Sequence, residues 1–307
     1  MKIGIVTTTF ENYGTRLQNL ATVELLKEQY KKAKIETIVI SIGHSKLRFL
    51  SRIFGNTIIS WLYLRLKFKG KINRNNKLLH YRAFFLKTDS LSEYKTINER
   101  YDLIVVGSDQ VWKHYSYLTN FKFALFSKNK ICNAPSFPSR NIDKTDFVNL
   151  RPLISTFSSI NFREQYTVDY FRENGIECLR LDDPTLRLPL SSWERLVKAN
   201  KKHFSFFIYI LNDKKCYDKV VEDINRIEKR DSIMSIFLYN TGKDKFVYSP
   251  LEFLAFLKNS DFIITNSFHG ACFAKKFGKK LKIVNDKLGD PNDARFDIFL
   301  SYSNLVN

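Results

Sequence analysis

The stretch that decides the fold is FIITNSFHGA, residues Phe262 to Ala271. Its first four residues are apolar or β-branched and predict a buried strand. A short polar turn follows, and the residues after it predict a helix. A strand that runs directly into a helix is the repeating unit of a parallel sheet, so this stretch predicts an α/β fold.

The turn in this stretch is also the sharpest candidate site. It places His269 at a helix start, where an imidazole can act as a general acid or bind an anion. Gly270 allows close backbone approach, and Asn266 and Ser267 crowd the same turn. A single histidine is more often structural, but this setting favours a functional one.

The same alternation of strands and helices runs along the whole chain. The predicted strands are Lys2–Thr7, Ile35–Ile40, Leu103–Val106, Lys130–Ala134, Thr156–Ile160, Glu177–Leu181, Phe204–Ile210, Ile233–Leu238, Phe262–Thr265 and Leu281–Val284. The predicted helices include Thr15–Tyr30, Glu164–Asn174, Lys214–Lys229 and Pro250–Lys258. The strands form two groups, which predicts an N-terminal domain over 1–185 and a C-terminal domain over 186–307. Functional groups are then expected past the carboxyl ends of the strands, in the cleft between the domains.

Composition excludes several classes of protein. The chain has 307 residues, of which 44% are hydrophobic and 26% charged, as in a folded protein rather than a disordered one. The uncharged apolar run from Ile53 to Leu64 is shorter than the ~20 residues that cross a bilayer, and the N-terminus predicts no signal peptide. The four cysteines have no metal-binding or disulfide spacing, which predicts a cytoplasmic protein without a metal.

The formal net charge of +19 is unevenly distributed. No acidic residue lies between Glu36 and Asp89, where eleven lysines and arginines accumulate. Three interpretations of the basic segment 46–87 remain open. It is a solvated face, it is an amphipathic helix that docks on an anionic membrane, or it binds nucleic acid. The chain has no nucleic-acid recognition motif, so nucleic acid is the least favoured of the three.

Two candidate loops follow strands in the N-terminal half. After the first strand, Asn12, Tyr13, Gly14 and Gln18 form either an anion or sugar site or a simple helix cap. After the strand Leu103–Val106, the residues Asp109, Gln110 and Trp112 have a composition suited to sugar binding. The alternative is that Asp109 caps a helix and that Trp112 belongs to the core.

Two charged residues stand near the predicted domain junction. Arg163 can bind a carboxylate or phosphate in bidentate fashion, or it is a surface residue paired with Glu164 or Glu173. Asp183 can be an acid or base, or it can cap the linker.

Taken together, these segments resemble the polysaccharide pyruvyl transferase family. The resemblance rests on NYGTRLQNLATVELLK (12–27), YDLIVVGSDQVW (101–112), INFRE (160–164), DDPTL (182–186) and LEFLAFLKNSDFIITNSFHGACFA (251–274). It implies two facing Rossmann-like domains in a GT-B-like arrangement. It also implies transfer of a pyruvyl group from phosphoenolpyruvate to a sugar in capsule, exopolysaccharide or cell-wall glycan synthesis, without an essential metal or organic cofactor.

The resemblance also implies roles for residues. His269 would hold the donor phosphate or protonate the donor, and Asp109 or Asp183 would remove the hydroxyl proton. Arg163, Asn266, Ser267, His269, Gly270 and Arg295 would bind phosphoenolpyruvate. Asn12, Tyr13, Gly14, Gln18, Gln110 and Trp112 would bind the acceptor sugar. If that acceptor is lipid-linked, segment 46–87 would dock the protein at the inner face of the membrane.

The chain departs from the family pattern at two places. Ser267 stands where some members carry an arginine in an R-L-H-G motif, so a nearby lysine or Arg295 must supply that charge. The segment Asn133 to Pro138 replaces a stretch around A-S-F-G, and its last proline removes a backbone donor. Two alternatives therefore remain, namely a GT-B glycosyltransferase that uses a nucleotide sugar and an inactive or non-enzymatic basic relative.

Overall fold

A computed structural model of the chain describes residues 1–8, 12–40, 82–86, 91–112, 119–137, 144–197, 202–238, 248–284 and 294–306. The first of its two large sheets is parallel, with the strand order β3-β2-β1-β4-β5. Its strands are β1 (Lys2–Val6), β2 (Lys34–Ile40), β3 (Ala83–Leu86), β4 (Leu103–Val106) and β5 (Lys130–Cys132). All four residues of β4 are buried, as expected for a strand that is covered on both faces.

The second large sheet is also parallel and has the order β11-β10-β8-β9. Its strands are β8 (Phe204–Leu211), β9 (Ile233–Leu238), β10 (Ser260–Thr265) and β11 (Lys280–Ile283). Between the two sheets in sequence, β6 (Asn161–Phe162) and β7 (Leu179–Arg180) form a small parallel pair. The protein is thus an α/β protein with two Rossmann-like units in a GT-B-like arrangement, as predicted.

Helices connect most of the strands. Their bounds are α1 (Tyr13–Gln29), α2 (Leu91–Arg100), α3 (Thr119–Lys122), α4 (Lys144–Ile154), α5 (Gln165–Glu173), α6 (Pro184–Arg187), α7 (Leu190–Leu196), α8 (Lys214–Asn225), α9 (Pro250–Lys258) and α10 (Phe268–Lys276). Two 3₁₀ turns lie at Arg230–Ser232 and Ala294–Phe299.

Helix α1 joins the two units. Every residue from Tyr13 to Val23 is buried, because the helix is covered on opposite sides. Val23 packs with the core of the first sheet, whereas Leu17 packs with the helices of the second. The Tyr13 ring stacks on Phe253 of α9 with ring centroids 4.4 Å apart. Polar residues buried along α1 must therefore find partners inside the protein.

Most predicted elements are confirmed to within a few residues, but one predicted strand is wrong. Residues 156–160 form turns after α4, and the strand begins one residue later at Asn161. The backbone N–H of Ser158 still donates to the Lys130 carbonyl of β5, so part of the ladder bonding is present without a regular strand. The short strand β3 and helices α2, α3, α4, α6 and α7 were not among the named predicted elements.

Two predictions, the role of segment 46–87 and the domain boundary, are not tested by the described residues. Of the basic segment 46–87, only 82–86 lie within the described residues, so its membrane-docking interpretation stays a prediction. The domain boundary at 185/186 also stays a prediction. No helix in the described ranges combines the length and apolarity needed to cross a bilayer. The four cysteines are free thiols.

Candidate active site between the two units

The candidate site forms where several chain segments meet. The β5–α4 connection supplies Ser136, the end of β6 supplies Arg163 and Glu164, and the start of α6 supplies Asp183. Helix α10 of the second unit supplies Phe268 and His269. Three residues predicted from sequence, Arg163, Asp183 and His269, thus come together although they lie far apart along the chain.

Arg163 is the centre of this site. Its Nη1 donates to Asp183 Oδ2 at 2.8 Å, its Nε to Glu164 Oε1 at 3.0 Å and its Nη2 to Ser136 Oγ at 2.6 Å. The guanidinium carbon lies 4.2 Å from the centroid of the Phe268 ring. Because each guanidinium nitrogen already has a protein partner, Arg163 organises the site, and its direct contact with a ligand stays a prediction.

The charge of Arg163 is strongly reinforced by its surroundings. Burial by itself lowers the pKa of this guanidinium, but the carboxylates of Glu164, Asp183 and Asp109 outweigh burial and raise the pKa above its ordinary value. Sequence analysis left open whether Arg163 is a surface residue. Arg163 is buried, so the surface alternative is wrong. The pairing with Glu164 that this alternative included is present.

Asp183 is a buried and fully engaged carboxylate. Its Oδ1 caps α6 by accepting from the Thr185 backbone N–H at 2.9 Å, and its Oδ2 accepts from Arg163. Burial by itself raises the pKa of Asp183, but the neighbouring His269 and Arg163 and the Thr185 hydrogen bond hold it well below its usual range. Capping and ion pairing both use this side chain, so it is poorly suited to accept a proton.

His269 is buried at the start of α10. Its Nε2 lies 3.6 Å from Asp183 Oδ2 and has no hydrogen-bond partner among the described residues. A buried polar nitrogen without a partner costs free energy, and such atoms are more common at functional sites than in ordinary cores. This geometry leaves the imidazole available for a ligand or for proton transfer.

The other side of His269 is pressed against α1. A Cβ atom added at Gly14 would lie 2.5 Å from His269 Nδ1, which is closer than real Cβ contacts. Because Gly14 has no side chain, helix α1 can lie in direct contact with the His269 imidazole. Its predicted sugar-binding role is untested.

We expect Gly14→Ala to destabilise the protein by about 1–3 kcal/mol, because the new methyl group must displace the imidazole or the helix. In a helix without such a contact the same change would stabilise by up to about 1 kcal/mol. The measurement is urea unfolding of Gly14→Ala, His269→Ala and the double variant. If the clash is the cause, the double variant loses less stability than the sum of the two single changes. Strict additivity would contradict this explanation.

The residues around His269 shape the turn. Ser267 caps α10 by accepting from the Gly270 backbone N–H at 3.3 Å, and Asn266 bonds both the N–H and the carbonyl of Leu211 at the end of β8. A Cβ at Gly270 would lie 2.8 Å from Thr265 Oγ1, so this position also needs glycine. In this structure these side chains build the turn, and their predicted contact with the donor stays a prediction.

A cleft opens next to the buried cluster. It has a volume of about 190 Å³, equal to the share of about six water molecules in liquid. The first unit contributes Arg163, Asp183 and the rim residues around Arg180, and the second contributes Phe268 and Arg295. The cleft thus brings Arg295, which the sequence predicted as a donor ligand, to the same space as Arg163.

The loop after β4 lies next to this cluster, because the Ser136 backbone N–H donates to the Asp109 carbonyl at 3.0 Å. Asp109 has a positive φ of 61°, which is uncommon for a residue other than glycine, and its Oδ2 accepts from Thr8 at 3.2 Å. Trp112 is 1% exposed, and its ring stacks on Phe123 at a centroid distance of 4.9 Å. The core alternative for Trp112 therefore describes this structure, whereas the alternative that Asp109 caps a helix does not.

The predicted acceptor residues do not gather in one open place. Asn12 caps α1, and Tyr13 donates from its hydroxyl to the Tyr248 carbonyl at 3.1 Å. Gln18 is buried between Thr7 and Thr22. Gln110 is only partly buried. Their sugar-binding role remains a prediction that these contacts do not by themselves support.

Sequence reasoning missed two parts of the site. Ser136 accepts from Arg163 and donates to Glu164 Oε1 at 2.6 Å, and the only sequence signal for it was the unusual stretch 133–138. Arg180 lines the cleft, but as one arginine on a short strand it carries no local signal. No group of three or more His, Cys, Asp or Glu side chains in the described ranges could hold a metal ion.

The fold and the charged cleft define a two-unit α/β protein of GT-B-like architecture. The family model described as polysaccharide pyruvyl transferase matches residues 12–281. The chain therefore belongs to the polysaccharide pyruvyl transferase family, and membership implies a transferase. A search of curated proteins finds no match.

Solved structures with a similar fold include UDP-N-acetylglucosamine 2-epimerases. A putative UDP-N-acetylglucosamine 2-epimerase from Listeria monocytogenes is 10% identical, with a TM-score of 0.53 over 96% of this chain and 80% of that one. The UDP-GlcNAc 2-epimerase from Methanocaldococcus jannaschii is 12% identical, with a TM-score of 0.52 over 100% of this chain and 88% of that one. At these identities the likeness shows the fold alone.

Proposed function

We propose that the protein transfers a pyruvyl group from phosphoenolpyruvate to a sugar and forms a ketal in capsule, exopolysaccharide or cell-wall glycan synthesis. The observation that carries this proposal is the buried His269 beside a cleft lined by Arg163 and Arg295. Its Nε2 has no hydrogen-bond partner among the described residues and lies 3.6 Å from Asp183 Oδ2. A site for this donor needs cationic groups for its phosphate and carboxylate and a group that can give up a proton.

The proposed reaction adds two sugar hydroxyl oxygens to C2 of phosphoenolpyruvate. His269, protonated, gives its proton to the methylene carbon of phosphoenolpyruvate, and C2 becomes electrophilic. One sugar hydroxyl oxygen bonds to C2 and loses its proton to a base. A second hydroxyl oxygen then bonds to C2 while the C2–O bond to phosphate breaks, and its proton leaves with the inorganic phosphate. The proton taken by the base returns to His269, so the enzyme is regenerated. No metal or organic cofactor takes part.

The contacts favour Asp109 over Asp183 as the base. Both oxygens of Asp183 accept hydrogen bonds from Thr185 and Arg163, whereas among the described residues the Asp109 carboxylate accepts one side-chain hydrogen bond, from the hydroxyl of Thr8. Asp183 is then a positioning residue, because its Oδ2 lies 3.6 Å from His269 Nε2 and can orient the imidazole. A cytoplasmic location and membrane docking through 46–87 belong to the same proposal.

The test is calorimetric titration of the full chain with phosphoenolpyruvate and, separately, with UDP. We expect phosphoenolpyruvate to bind and UDP not to bind. Binding of UDP without phosphoenolpyruvate would contradict the proposal and favour a glycosyltransferase that uses a nucleotide sugar. Binding of neither would favour an inactive relative.

A further inference from the structure

Three arginines line the cleft, and they differ in how firmly the protein holds them. Arg163 is buried and bonded through all three nitrogens. Arg295 lies on the 3₁₀ turn of the second unit, with its guanidinium carbon 5.8 Å from the Phe296 ring. Arg180, at the end of β7, is paired with Asp182 at the solvent-exposed rim.

The ion pair between Arg180 and Asp182 is exposed to solvent, and this exposure makes it easy to break. The Arg180 and Asp182 side chains are 40% and 52% exposed, and Nη2 lies 2.7 Å from Oδ1. Exposed ion pairs are weak, because water and salt screen both charges. Arg180 can therefore leave Asp182 at little cost, whereas a ligand that took Arg163 would have to break a buried network.

The charge balance of the cleft makes a releasable cation necessary. Its lining holds three arginines and four carboxylates, Glu164, Asp182, Asp183 and Asp297. Glu164 and Asp183 are neutralised in part by Arg163, with which they are buried. Ser267, beside His269, is a buried helix cap and supplies no charge. A multiply charged anion thus needs a cation that is not already committed.

We propose that Arg180 binds the anionic donor by leaving Asp182, and that Asp182 acts as an internal competitor for the same guanidinium. This inference rests on the proposed function, because it takes the ligand to be phosphoenolpyruvate. Arg180 then supplies positive charge from the exposed rim of the cleft that Arg163 and Arg295 also line. The site is specific for anions because an uncharged ligand gains nothing when the rim pair opens.

Substitutions of Arg180 and Asp182 are expected to change the affinity for phosphoenolpyruvate in opposite directions. Arg180→Ala removes a charge-assisted contact and is expected to weaken phosphoenolpyruvate binding about tenfold or more. Asp182→Asn removes the competitor and a like charge near the ligand, and it is expected to tighten binding about three- to fivefold. A general disturbance of the fold would weaken binding in both variants.

The experiment is calorimetric titration of phosphoenolpyruvate into the full chain and its variants at two salt concentrations. The matched controls are Arg226→Ala and Glu222→Gln, because Arg226 and Glu222 form an exposed ion pair at the C-terminal end of α8, outside the cleft lining. Both controls are expected to bind like wild type. Opposite changes in Arg180→Ala and Asp182→Asn, with the loss in Arg180→Ala larger at low salt, would support the inference.

Two results would overturn it, and they have different meanings. If wild type binds phosphoenolpyruvate and Arg180→Ala binds it within twofold, the inference fails while the proposed function stands. If wild type does not bind phosphoenolpyruvate, the proposed function fails, and the inference fails with it.

Discussion

Arg163→Ala is expected to lower the free energy of unfolding by about 3–5 kcal/mol. The change leaves Glu164 and Asp183 buried without their common counter-charge, because both lie within 3.0 Å of guanidinium nitrogens and are almost completely buried. It also removes the partner of Ser136 and the guanidinium that covers the Phe268 ring. The measurement is urea unfolding at neutral pH, followed by circular dichroism.

Arg100 offers a closely matched control. Its guanidinium carbon also lies 4.2 Å from a phenylalanine ring, that of Phe84, and its Nη2 lies 2.7 Å from Glu36. The Arg100 side chain is 30% exposed, however, whereas that of Arg163 is 5% exposed. Arg100→Ala should therefore cost only about 1 kcal/mol. Equal losses would show that burial of the ion pair does not decide its contribution.

The pH dependence of stability tests the same network. Because the pKa of Asp183 is lower in the folded state than in the unfolded state, the unfolded chain binds more protons in acid. The contribution of Asp183 is complete above the ordinary aspartate pKa of about 4 and is lost as the pH falls below it. Arg163→Ala removes one cause of the low pKa, so its stability should fall less steeply between about pH 4 and pH 2. A steeper fall would contradict this account.

His269→Gln is expected to reduce turnover by between about a hundredfold and ten-thousandfold, the range seen when a general acid is removed. Glutamine fills similar space but cannot deliver a proton to carbon. Stability should change little, because Nε2 of His269 has no hydrogen bond to lose among the described residues. The measurement is release of inorganic phosphate from phosphoenolpyruvate with a panel of oligosaccharide acceptors.

His203 provides the matched control for this change. Its Nε2 lies 3.0 Å from Asp261 Oδ1, so it is also a histidine beside a carboxylate, but both side chains are 64% exposed. His203→Gln should release phosphate at the wild-type rate. If His269→Gln kept more than half of the wild-type rate, proton delivery by His269 would be excluded and the proposed chemistry would need another acid.

Helix α10 illustrates how far local sequence reaches. The pattern FIITNSFHG predicted a strand followed by a helix, and the structure has β10 ending at Thr265 and α10 beginning at Phe268. Strand period, glycine turns and caps depend on residues within about four positions of one another, so a single sequence can encode them. The prediction of a strand at 156–160 was wrong, because these residues form turns although their sequence resembles a short strand.

The sequence by itself determined the two sets of parallel strands and the family, and it predicted Arg163, Asp183 and His269 as candidate site residues. Only the tertiary structure decided that Arg163 is bonded on all sides, that Asp183 is committed as a cap and ion-pair partner, and that Gly14 touches His269. It also decided that Trp112 is buried and that Arg180 lines the cleft. The physical reason is that burial and charge pairing depend on residues brought together from distant parts of the chain, which no local pattern records.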